Sequence, residues 1–140
     1  MENLSPSPER RKDLRLDMFE PLLIRFFISK GKSIFKLHPK KSASTRNISI
    51  NGALLELLTL KEGQVGKMIT GRDKLTIELE IPLLKRPLRI RGKIVWVGKK
   101  DKHGKIVYET GICFEDIKAK DRVKILPLLV NLCLKGKAKI

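Results

Sequence analysis

The residues best suited to chemistry in this chain fall into two short polar signatures. The first crowds arginine into Arg10-Arg11-Lys12-Asp13-Leu14-Arg15, with Arg11 and Arg15 four positions apart. The second, Asn47-Ile48-Ser49-Ile50-Asn51-Gly52, sits inside what otherwise reads as a β-strand. Together they read as two halves of one anion-binding site. A guanidinium is a planar fork that grips phosphate through charge-assisted, bidentate hydrogen bonds; lysine, a point charge on a flexible stem, replaces it poorly. Asn47 and Ser49 stand two apart on a strand, so both are expected on one outward face with Ile48 and Ile50 turned to the core. A carboxamide beside a hydroxyl offers donors and acceptors without adding charge. Gly52 either lets the backbone approach a ligand or takes positive φ at the next turn, and Asn51 tolerates a left-handed conformation. Either signature alone is weak, since arginine pairs arise by chance in a basic chain and Asn, Ser and Gly make ordinary bends.

In spacing and residue type the two signatures resemble the PilZ family of cyclic di-GMP receptors. The match is an R-x-x-x-R pair at Arg11 and Arg15, then N-x-S-x-x-G at Asn47, Ser49 and Gly52. The resemblance runs from Glu9 to Val130. It takes in Lys93 to Trp96 and Thr110-Gly111-Ile112-Cys113-Phe114-Glu115-Asp116, which look like the family's later strands and its turn into a helix. It implies a six-stranded antiparallel barrel ending in a helix, with no cofactor and with cyclic di-GMP as ligand. The residues implied to bind it are Arg11, Arg15, Asn47, Ser49 and Gly52. For Arg10 it implies a third contact, which in the family goes with gripping a stacked pair of ligand molecules. The chemistry is consistent, because a guanine edge shows O6 and N7 as adjacent acceptors that the arginine fork fits. One arginine can take a base edge and the other a phosphate.

These groups must be positioned by strands. Residues 1–20 read as a flexible tail carrying the arginines, since Ser5-Pro6-Ser7-Pro8 disfavours helix. From Leu22 the period is mostly two, with Leu22, Ile24, Phe26 and Ile28 on one face and Arg25 opposite. Residues 29–43 are basic and loop-like around a short Ser33-Ile34-Phe35 piece. Strands are expected at Thr45–Ile50, Ala53–Leu58 and Gln64–Thr70. In Leu75–Ile81, Ile77, Leu79 and Ile81 should face inward, with Glu78 and Glu80 outward. In Leu88–Val97, Ile90, Ile94 and Trp96 should face inward. Trp96 could stack a base, but its place in the pattern makes it core. Arg46 should point away from Asn47, while Arg89 and Arg91 either border the site or solubilise a strand. Asp101-Lys102-His103-Gly104 reads as a hairpin loop, and Tyr108, Ile112 and Phe114 as a core face.

From Asp116, a candidate N-cap, the pattern turns helical through Val123, Leu126 and Val130. Pro127 inside a helix would cost about 3 kcal/mol, so a short helix over 118–126, a kink and a further turn are expected. Six or so short strands with few helical windows suggest a small barrel. With the resemblance, the fold class expected is all-β: a six-stranded antiparallel PilZ-like barrel over residues 21–134 with a C-terminal helix, then a basic tail at 135–140.

Composition narrows the function classes. A chain of 140 residues with 41% apolar content makes one domain with a modest core. No stretch approaches the roughly 20 apolar residues that span a bilayer, and the charged start is not a signal peptide, so a cytoplasmic protein without a membrane span is expected. Cys113 and Cys133 lack metal spacing to each other or to His38 and His103, and read as reduced thiols. The net charge of +16 should attract a polyanion. It is clustered: Pro21 to Leu55 holds seven basic residues and no acid, and Lys85 to Lys105 holds nine with only Asp101.

No Ser/His/Asp or Cys/His constellation, no paired carboxylates in a cleft and no phosphate-cradling glycine loop can be found, so an enzyme is not expected. The leading reading is a stand-alone bacterial receptor for cyclic di-GMP. Its ligand would order the tail over the barrel and so signal to an unidentified protein effector. The resemblance implies outputs in motility, flagellar function or biofilm polysaccharide. The apolar run Leu128–Leu134 either covers the barrel's base or forms an interface, so monomer and homodimer both stay open. The alternative is a small basic barrel that binds RNA or DNA. Against it stands a shortage of outward aromatics, with Phe27 and Phe35 the clear candidates. A family member acting only as a protein adaptor would be expected to lose an arginine or the serine, and this chain keeps them.

Overall fold

The computed structural model describes residues 15–30, 41–57 and 60–140. In chain order the elements are β1 (Arg15–Lys30), β2 (Lys41–Ser49), β3 (Gly52–Leu57), α1 (Glu62–Ile69), β4 (Asp73–Leu79), β5 (Leu88–Lys102), β6 (Lys105–Glu115), α2 (Ala119–Val123), α3 (Ile125–Leu134) and β7 (Ala138–Lys139). The strands run in the order β2-β3-β6-β5-β4-β1, and β1 pairs again with β2, so six antiparallel strands close into a ring. β7 adds to the start of β1. Closure leaves few backbone edges unpaired, which suits strands as short as β3 and β4.

The period-two pattern fills the ring. Ile24, Phe26 and Ile28 of β1, Leu75, Ile77 and Leu79 of β4, and Tyr108, Ile112 and Phe114 of β6 are all buried. Ile125, Leu128, Leu129 and Leu132 of α3 join the same core. Each such leucine or isoleucine contributes about 1.5–3 kcal/mol by leaving water.

Several sequence expectations need correction. Strand β1 starts at Arg15, inside the expected tail, because its first residues form ladders on two sides. Arg15, Leu16 and Asp17 pair with Ser49, Ile48 and Asn47, while Asp17 and Met18 pair with Lys139 and Ala138. Leu16 is wholly buried. The expected basic tail at 135–140 thus contains a strand. Arg10, Arg11 and the Ser33-Ile34-Phe35 piece lie outside the described residues. The strand expected over Gln64–Thr70 is α1: Val65 and Met68 are buried one helical turn apart, and the Lys61 N–H donates to Gln64 Oε1 at 3.0 Å.

The helical end differs as well. Asp116 is not an N-cap: it takes a left-handed φ of 54°, and Lys118 precedes the helix. The break falls at Lys124, and Pro127 lies in the first turn of α3, where its missing N–H would have no intrahelical partner.

Glu78 is buried rather than outward. It sits opposite Arg89 across the β4–β5 ladder and accepts a hydrogen bond from Arg89 Nε at 2.8 Å. The guanidinium also lies over the half-buried Phe27 ring, 5.6 Å from its centroid. Arg89 is therefore part of the barrel wall. Arg89→Ala should cost about 1–3 kcal/mol by withdrawing a partner from a buried carboxylate. That is less than for a wholly buried pair, since the Arg89 side chain is 61% exposed. Urea denaturation measures it, and an unchanged midpoint would refute the assignment.

Candidate functional site

The β1–β2 ladder sets the polar signatures side by side. Arg15 pairs with Ser49 and Asp17 with Asn47, so strand geometry alone brings the arginine to the turn. A cleft of about 370 Å³ is lined there by Arg15, Asn47, Ser49 and Gly52 from the expected set. Across from them stand Val95 and Trp96 of β5, with Gly111, Ile112 and Cys113 of β6.

Each polar residue has a defined task. Arg15 is exposed and, among the described residues, has no ion-pair partner, so its guanidinium faces water ready for an anion. Asn47 is half-buried, and its Nδ2 donates to Asp17 Oδ1 at 2.9 Å. That bond holds the carboxamide plane and leaves its oxygen to accept. Arg46, expected on the opposite side of the strand from Asn47, is instead the extra residue of a bulge between Thr45 and Asn47; its side chain is exposed and lies 3.6 Å from Glu56. Thr45 stabilises the bulge: its hydroxyl lies 2.6 Å from Leu54 O and 2.9 Å from Asn47 O, and accepts the Asn47 N–H at 3.3 Å.

Ser49 departs from expectation. It is 3% exposed rather than outward, and its Oγ accepts the N–H groups of Asn51 at 3.1 Å and Gly52 at 3.2 Å. The hydroxyl builds the turn. Its own proton makes only a 3.4 Å contact to Gly52 O, longer than a full O–H···O bond, and so can swing to a ligand acceptor.

Gly52 departs too. Neither it nor Asn51 has positive φ. A Cβ on Gly52 would instead overlap the Ile112 carbonyl oxygen, so glycine is required by the close approach of β6. The Phe114 N–H donates to Asn51 O at 2.8 Å and pins the turn to β6.

The main residue that strand parity misplaces is Trp96. It is 49% exposed on the cleft wall instead of buried. Ile94 pairs with Ile112 but Trp96 with Gly111, so Val95 is an extra residue in the ladder. The bulge shifts the parity of everything after it: Val95 and Trp96 emerge, and Val97 returns to the core. Gly98 and Gly111 leave the indole room, with a Cβ at Gly98 only 3.4 Å from the ring. Gly98, two residues on from Trp96, is the sequence signal that points to it; Gly111 comes beside the ring only through the β5–β6 pairing. The cleft therefore joins a cation with no ion-pair partner among the described residues, a neutral hydrogen-bonding floor and an exposed aromatic face, a combination suited to an anion that also carries a flat ring.

Among the described residues, no three His, Cys, Asp or Glu side chains cluster as a metal site, and no helix is long and apolar enough to cross a membrane. Residues 9–131 match the model of the PilZ domain. The chain belongs to the PilZ family. The fold agrees with solved PilZ structures. The PilZ domain of YcgR from Escherichia coli, solved with c-di-GMP, superposes with a TM-score of 0.59 at 11% identity, covering 91% of this chain and 94% of that one. MrkH of K. pneumonia in its apo state gives 0.60 at 16%, covering 91% of this chain and 54% of that one. The Bacillus subtilis inhibitor of motility MotI/DgrA gives 0.59 at 18%, covering 94% and 57%. This PilZ chain thus spans nearly all of the YcgR domain but little more than half of MrkH or MotI. No curated protein sequence matches it.

Proposed function

We propose that this PilZ domain is a receptor for cyclic di-GMP and that the cleft beside Arg15 is where the ligand binds. The observation that carries the reading is that Arg15, Asn47, Ser49 and Gly52 line one cleft facing Trp96. In this reading Arg15 and Arg11 take a phosphate and a guanine edge, and Arg10 adds a third contact. Asn47 accepts through its carboxamide oxygen, Ser49 donates its loosely held proton, and Gly52 keeps the wall thin. Trp96 gives a base a surface to stack on. Occupation brings Arg10 and Arg11 over the cleft, and the changed surface acts on a protein effector. Solved relatives include an inhibitor of motility and a c-di-GMP-dependent transcription regulator, and control of motility or biofilm formation is the process proposed here.

Isothermal titration calorimetry with cyclic di-GMP in about 150 mM salt, where loose surface attraction is screened, tests the reading. GTP and cyclic di-AMP are the controls, with Arg11→Ala and Ser49→Ala as variants. Saturable heat with cyclic di-GMP alone is expected, and a stoichiometry of two per chain would identify the role given to Arg10. Trp96→Ala should weaken binding roughly 10- to 100-fold, the loss of one stacked base. No heat with any nucleotide would overturn the proposal.

The exposed Trp96 also favours a second reading, because a basic barrel with an outward aromatic can bind single-stranded nucleic acid. Affinity for a long oligonucleotide that falls steeply with salt, without cyclic di-GMP binding, would select it.

A further inference from the structure

The C-terminal helices carry an apolar row that the fold leaves open. α3 turns Ile125, Leu128, Leu129 and Leu132 inward, and its period puts Leu126, Val130 and Leu134 together on the other side. All three are exposed, Val130 by 51% and Leu134 by 81%. Val123, one turn earlier, and Ile140, beyond β7, are exposed as well. Beside α3, the loop following β4 shares a cleft with Asn131 and Lys135. That loop holds Leu83 fully in water at φ 72°, a conformation that leucine adopts only at a cost. Apolar groups displayed in such a row mark a surface with a partner.

The rim identifies the partner's chemistry. Lys118, Lys120 and Lys124 precede the row, Lys135, Lys137 and Lys139 follow it, and Lys85 and Arg86 stand in the neighbouring loop. The single acid between Ile117 and Ile140 is Asp121, which Lys124 already holds at 3.1 Å. Protein interfaces are depleted in lysine and anchored by Trp, Tyr and Arg. Here the row is Leu and Val, and the rim, though Glu80 and Arg86 line the cleft beside α3, is mostly lysine, whose hydrated point charge suits mobile headgroups better than a fixed carboxylate pattern. We infer that this face docks on an anionic lipid membrane, Leu126, Val130 and Leu134 entering the headgroup boundary while the lysines meet lipid phosphates. With ten residues, α3 lies on such a surface rather than crossing it.

Co-sedimentation with vesicles of phosphatidylcholine, with and without phosphatidylglycerol, tests the inference. The wild-type chain should bind the phosphatidylglycerol vesicles only. Val130→Asp with Leu134→Asp should weaken binding at least tenfold, as should Lys135→Glu with Lys137→Glu, while thermal melts confirm folding. Lys99→Gln with Lys105→Gln, towards the tip of the β5–β6 hairpin, should change nothing. No binding, binding that ignores the two aspartates, or loss on changing the hairpin tip would each overturn the inference. So would self-association of the wild type that the aspartates abolish, since the face would then be a protein interface. No arm contains cyclic di-GMP, so failure here is separate from failure of the receptor reading.

Discussion

Arg15→Ala is expected to weaken cyclic di-GMP binding by about 30-fold or more while leaving the fold intact. Removing one partner of a charge-assisted pair typically costs 2–5 kcal/mol, and every 1.4 kcal/mol is about tenfold. Stability should move by about 0.5 kcal/mol or less, because Arg15 is exposed and has no ion-pair partner among the described residues. Arg15→Lys should recover only part of the affinity, since an ammonium keeps the charge but not the fork. Calorimetry on the two variants beside thermal melts decides. Wild-type affinity in Arg15→Ala would remove this residue from the site.

Gly52→Ala should do the reverse, damaging the fold first and the cleft as a result. The added methyl meets the Ile112 carbonyl oxygen, a backbone atom that cannot rotate aside. β3 and β6 must part, at about 1–3 kcal/mol, which lowers the melting midpoint by roughly 3–10 °C. The Asn51–Phe114 bond lies at the same junction, so the turn that shapes the cleft loosens with it. Gly66→Ala is the matching control. Nothing lies within 4 Å of that position in α1, and alanine there should stabilise by about 0.5–1 kcal/mol. Opposite signs in two glycine-to-alanine changes would separate close approach from chain entropy; equal signs would refute the account of Gly52.

The barrel was legible because alternation is a strong signal wherever both neighbours of a strand are present. Ile77 with Leu79, and Ile112 with Phe114, read directly as core and are buried. Alternation says which way a residue points and not what covers it, so it puts Glu78 in water, although Arg89 reaches over to bond the carboxylate and is itself backed by Phe27. Parity also fails silently at a bulge. One extra residue at Val95 inverts the alternation after it on β5, and for that reason strict alternation puts Trp96 in the core although it stands on the cleft wall. α1 escaped because two buried residues three apart are too few to outweigh a strand-like window. The site motifs were legible as residue types at a spacing. The tasks of Ser49 and Gly52 were not, since a hydroxyl taken up by two amides and a carbonyl under a missing methyl are facts of packing.

The half-exposed indole gives the protein a built-in optical probe. Trp96 is the single tryptophan of the chain, so ultraviolet emission excited at the indole band comes from the cleft wall and nowhere else. Half in water, it should emit to the red of a buried indole, and a purine laid on its face should quench it. A titration followed by emission therefore reads occupancy of that cleft alone. Events at the α3 face, on another part of the fold, would leave the signal in place, and the two surfaces can be followed in one cuvette without a label.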